Sequence, residues 1–114
     1  MTTVLDRPDA IADVVPFTAT MNPEGDIRLD GELDIGGLDA LRAVLDQAFL
    51  EPGDVAIDAA GLSFIDSRAI AELLRFQLLA ATQNRELYLL RPSPALARVI
   101  DILDLGHVLV SSAG

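Results

Sequence analysis

Gly61-Leu62-Ser63-Phe64-Ile65-Asp66-Ser67-Arg68-Ala69-Ile70 is an apolar loop that delivers an acid and a hydroxyl to the start of a helical pattern. Downstream, Ile70, Leu73, Leu74, Gln77, Leu78 and Ala81 recur at helical spacing as an inner stripe, and Phe76 and Leu79 lie off it. That off-stripe pair reads either as a partner-facing patch or as isolated surface apolar residues, which are common. Upstream, Val55-Ala56-Ile57 is a short apolar run ending at Asp58, the pattern of a strand buried in a parallel sheet. The unit is strand, connection, helix, and the polar pair closing the connection carries its chemistry. The first turn of a helix presents unpaired backbone N–H groups and the positive end of the helix dipole. A Ser67 hydroxyl there can therefore accept a phosphoryl group and tolerate the added anion. Both residue types are equally favoured as plain N-caps, so Asp66 or Ser67 capping the helix is the competing reading.

The flanking segments repeat the same alternation of elements. Phe17, Ala19 and Met21 alternate with Thr18 and Thr20, and Ile27, Leu29, Gly31 and Leu33 alternate with Arg28, Asp30 and Glu32. Asn22-Pro23-Glu24-Gly25 between them has turn chemistry, which predicts a hairpin. Gly36-Gly37 opens a helix whose inner stripe is Leu38, Leu41, Val44, Leu45, Ala48 and Phe49, and Glu51-Pro52-Gly53-Asp54 closes it. Glu86–Leu90 reads as the next strand, and Arg91-Pro92-Ser93-Pro94 leads into a helix with Leu96, Val99, Ile100 and Leu103 inward. Gly106 ends that helix, and Val108–Val110 is a last short strand. The order β-β-α-β-α-β-α-β predicts an α/β fold with a mostly parallel sheet, its first strand joined antiparallel through the hairpin. Residues 1–15 read as a loose arm, 16–111 as one domain and 112–114 as a tail.

Composition narrows the function. The 114 residues are 51% apolar but 4% aromatic, which suits aliphatic helices packed on a sheet and a single core. Eighteen acids face eight arginines and no lysine, for a formal net charge of −10. Direct nucleic-acid binding is disfavoured, because it depends on many cationic contacts to phosphate, and a basic protein surface is the better match. Without cysteine there are no disulfides or thiolate metal sites, and neither a metal nor a cofactor is expected. The interrupted, acid-bearing start does not read as a secretory leader, and no apolar run is long enough for membrane insertion, so a cytoplasmic protein is expected.

Enzymatic readings fail on specific residues. A hydrolase built from Ser67, the lone His107 and Asp58 or Asp66 lacks the Gly-x-Ser-x-Gly elbow. A phospho-aspartate receiver centred on Asp58, or a Walker-type nucleotide site, lacks its lysine. The chain reads as a non-enzyme.

Three short motifs in order carry a resemblance: Gly31-Glu32-Leu33-Asp34, Ile57-Asp58 and Phe64-Ile65-Asp66-Ser67. Together, from about Phe17 to Val110, they resemble the STAS family, named for sulphate transporters and anti-sigma factor antagonists. The resemblance implies a sheet with helices packed chiefly on one face. For a chain of this size it implies an anti-sigma factor antagonist that works by partner switching. The unmodified protein would bind an anti-sigma factor that is also a serine kinase, freeing a sigma factor. Phosphorylation of Ser67 would break that complex, and a serine phosphatase would restore it. Asp34, Asp66, Ser67, Arg68 and Ala69 would form the switch surface, with Asp34 assisting binding or phosphorylation. Members commonly carry Ser or Thr and then Gly after the modified serine, where this chain has Arg68 and Ala69. Many also carry Thr where this chain has Gly37. The alternative is a STAS adaptor that docks by the same surface without switching, on the cytoplasmic ATPase of a lipid-transport complex or on a stress-sensing assembly.

Overall fold

The computed structural model describes residues 16–106 and 109. Four strands form one sheet in sequence order: β1 (Thr18–Met21), β2 (Ile27–Leu33), β3 (Val55–Ile65) and β4 (Leu87–Pro92). β1 and β2 pair antiparallel through the expected turn, and the other pairings are parallel. Three helices complete the domain: α1 (Leu38–Ala48), α2 (Ser67–Thr82) and α3 (Pro94–Ile102).

Alternation along each strand sorts side chains onto two faces. Ile27, Ile57 and Leu89 stand in register across three strands and are buried with the inner stripes of α1 and α2. One residue along from Ile27 and Ile57, and two along from Leu89 because the register shifts there, Arg28, Asp58 and Arg91 form a charged row on the opposite face. The sheet is thus apolar where α1 and α2 cover it and charged where they do not. α3 occupies a third position. β4 stops pairing at Pro92, which lacks an N–H for the ladder, and Ser93 N–H then donates to Ala59 O at 3.1 Å. α3 therefore lies beside the C-terminal half of β3.

The structure corrects several expectations. Gly61–Ile65 is strand, not loop: β3 runs eleven residues, and its second half pairs with β2 from Asp30↔Gly61 to Leu33↔Ile65. Register shifts on both sides of β3 break the two-residue period and hid the strand. Gly61 belongs to this pairing, because a Cβ there would overlap the Asp30 carboxylate and crowd Leu29 O. In α2 the buried residues are Ala69, Ile70, Glu72, Leu73, Phe76 and Ala80, whereas Leu78 is 65% exposed. Phe76 is therefore core rather than surface. Its ring meets Phe49 edge-on, with centroids 5.5 Å apart. β4 starts and ends later than its apolar run suggested, at Leu87–Pro92. In α3, Leu96 is buried and Val99 and Ile100 are half-buried, while Leu103, just past its end, is exposed. Residues 1–15, His107, the tail and the strand expected at Val108–Val110 lie outside the described residues, apart from the buried Leu109.

Candidate functional site

Parallel pairing makes β2 and β3 end level, with Leu33 opposite Ile65, and Asp66 N–H donates to Leu33 O at 2.9 Å. The chain leaves both strands at one spot. Asp34 continues from β2 and the Asp66-Ser67 pair from β3, so two motifs 32 positions apart in sequence meet at one end of the sheet.

Each exit is closed by a carboxylate. Asp34 is exposed, and its Oδ1 accepts from Gly36 N–H at 2.9 Å, capping a 3-10 turn at Ile35–Gly37 that feeds α1. Asp66 caps α2: its backbone is extended, and Oδ1 accepts from Arg68 N–H at 2.6 Å. Its carbonyl oxygen accepts from Ala69 and Ile70 N–H. Ser67 is the first helical residue and is exposed, and among the described residues its hydroxyl makes no hydrogen bond. Arg68 is also exposed, whereas Ala69 is fully buried and presents packing surface inward. Gly37 is buried as well, and a Cβ there would come within 2.8 Å of the Phe17 ring and 3.0 Å of Leu33 Cδ1. Phe17 fills the space that a larger residue would need.

Two apolar side chains at this end were not singled out from sequence: Ile35, 57% exposed, and Phe64, 48% exposed. The register shift that carries Phe64 outward is not marked in the sequence. Leu62 and Ile65 are both buried although three apart, so Ser63 and Phe64 between them both face outward at the shifted register.

Seven of the eight arginines are described, and five are engaged within the chain. Arg28 pairs with Asp30 at 2.9 Å, and Arg91 pairs with Asp58. Arg42 and Arg75 both reach Glu72, at 2.6 and 2.8 Å. Arg85 donates to the carbonyls of Phe49, Glu51 and Gly53 past the end of α1 and stacks over the Phe49 ring. Arg68 and Arg98 make no ion pair among the described residues. The two guanidinium groups on Glu72, Arg75 first and Arg42 second, pull its pKa down to about 2. At Asp58 burial works against the charged form, but hydrogen bonds from Arg91 and from Ala60 N–H outweigh it and hold the pKa below the ordinary carboxylate value. That carboxylate is committed to the charged sheet face. Among the described residues no three His, Cys, Asp or Glu side chains converge, and no helix is long and apolar enough to cross a membrane.

A family model described as "Mlab, STAS domain" matches residues 18–111. No curated protein matches the chain. Among solved structures it is similar to the anti-sigma factor antagonist SpoIIAA in its unphosphorylated form, at 26% sequence identity, covering 86% of this chain and 89% of that one, with a TM-score of 0.62. The mixed sheet, its level β2 and β3 exits and the family match across nearly all described residues agree: the chain belongs to the STAS-domain family.

Proposed function

We propose that the protein is an anti-sigma factor antagonist that works by partner switching, with Ser67 as its switch. The observation that carries this reading is the division of labour at the start of α2. Asp66 performs the capping, which leaves the Ser67 hydroxyl exposed and without a hydrogen bond among the described residues. The likeness to an anti-sigma factor antagonist over 86% of the chain supports the same reading. In its unmodified state the protein binds a cytoplasmic anti-sigma factor that doubles as a serine kinase, through the surface around Asp34, Asp66, Ser67 and Arg68. Ala69 supports that surface from beneath. Transfer of a phosphoryl group to Ser67 adds about −1.5 to −2 charge beside Asp66. The helix terminus offsets part of the cost within this chain, but a partner shaped for a neutral hydroxyl has no such compensation. Release then follows from charge and bulk, with no refolding of the antagonist, and a serine phosphatase resets the switch.

Mass spectrometry of protein taken from its own cells, with and without phosphatase treatment, tests the modification directly. Pull-down from the same cells should recover a small soluble kinase. Against that partner, Ser67→Ala should bind as wild type and resist release by ATP, while Ser67→Asp should bind about 5–150-fold more weakly, the span of a ~1–3 kcal/mol coupling. Equal affinities of the two variants would remove the charge-based account. The exposed Arg68 after Ser67 favours a second reading, an adaptor that docks without switching on the ATPase of a lipid-transport assembly. Recovery of such an ATPase, with Ser67 always unmodified, would decide for it.

A further inference from the structure

The groove between the end of β3 and α3 is lined by Ser63, Phe64, Ile65, Ala95, Arg98 and Val99, with Pro94 at its head, and encloses about 370 Å³. Its walls are mostly carbon, and Phe64 stands half in solvent at 48% exposure. Its frame is rigidly held. Ser93 is 1% exposed, donates its N–H to Ala59 O and accepts from Leu96 N–H at 3.1 Å, and Leu96 is fully buried beneath α3. Arg98 on the groove wall and Arg68, three residues after Ile65, are the two described arginines whose side chains make neither an ion pair nor a hydrogen bond among the described residues. In a chain with ten excess negative charges, these two cations have no internal partner among the described residues.

From this charge pattern and the apolar walls, we infer that the groove receives a segment of the partner protein presenting an apolar side chain next to a carboxylate. The apolar side chain enters beside Phe64 and Val99, and the carboxylate meets Arg98. The inference rests on reading the Ser67 end as a docking surface, and it adds the chemistry of what docks. A preformed groove lowers the ordering cost of binding, so a short segment suffices. The acidic remainder of the surface repels a carboxylate approaching anywhere else, which gives the contact its register.

Backbone amide NMR of the full chain tests this without the cognate partner. The probes are the capped dipeptide acetyl-phenylalanyl-glutamyl-amide, its glutaminyl analogue and inorganic phosphate. The glutamyl peptide should give saturable shifts at residues 63–65 and 95–99, with the glutaminyl peptide about threefold weaker, as expected for one exposed ion pair. Phosphate alone should leave residues 95–99 unmoved. Arg98→Gln, an exposed change, should equalise the two peptides while keeping the weaker binding. Equal affinity of both peptides for wild type, shifts centred elsewhere, phosphate acting at Arg98, or no saturable shift would each overturn the inference. Phosphorylation of Ser67 plays no part in these measurements, so a failed switch and a failed groove give different results.

Discussion

Asp66 and Ser67 are adjacent and both suited to cap a helix, yet geometry gives them separate tasks. The extended backbone at Asp66 aims its carboxylate back at Arg68 N–H, whereas Ser67 already has helical backbone and points outward. Their stability effects should therefore differ. Asp66→Ala should lower unfolding free energy by about 1 kcal/mol, the usual cost of a lost N-cap, and Ser67→Ala should stay within about 0.5 kcal/mol of wild type. Urea denaturation followed by circular dichroism reads both, and the reverse order would mean that Ser67 is the cap. At this scale the sequence was informative about residue types and silent about which one caps, because both side chains satisfy the same statistical preference. Ala69 shows the same limit. The family resemblance includes it in the switch surface, but the helical turn carries it inward, where it is fully buried.

At the scale of elements, apolar periodicity located β1, β2 and α1 well, because each has one polar and one apolar side. It misplaced the inner face of α2, and Glu72 explains why. Hydrophobic patterning assigns an acid to solvent, but this one is buried between α1 and α2, held by Arg42 from α1 and Arg75 from its own helix. A carboxylate tolerates burial when both oxygens are paired, so the true stripe runs through Ala69, Leu73, Phe76 and Ala80 beside it. The tie should stabilise the α1–α2 contact modestly, since both arginines remain substantially solvated, at 44% and 58% exposure. Glu72→Gln should cost about 1–2 kcal/mol at neutral pH. Because the folded-state pKa is depressed from 4.5 to about 2, this contribution is complete above pH 4.5 and disappears as pH falls towards 2. The stability gap between wild type and Glu72→Gln should be constant at higher pH and close through that acidic window in denaturation midpoints. A gap that widened on acidification would contradict the pairing.

Across the whole molecule, the sheet's charged face and the net charge of −10 pull stability in opposite directions. In the ion pairs Arg28–Asp30 and Arg91–Asp58 the guanidinium groups lie largely in solvent, where a pair contributes about 0–1 kcal/mol and salt weakens it. The excess charge acts differently. Excess negative charges on a small domain repel one another more in the folded state than in the expanded chain, which lowers stability until salt screens them. The Debye length falls from about 10 Å at 0.1 M salt to about 3 Å at 1 M, so repulsion across the surface fades first, while contacts at ion-pair distance persist longer. Screening should therefore relieve more repulsion than it costs in pairing, and the urea midpoint should rise with sodium chloride at neutral pH. The partly buried Arg42–Glu72–Arg75 cluster should be least affected, so Glu72→Gln should show the same upward slope as wild type. A midpoint that fell with added salt would mean that the exposed pairs, rather than the net charge, govern the fold's electrostatics.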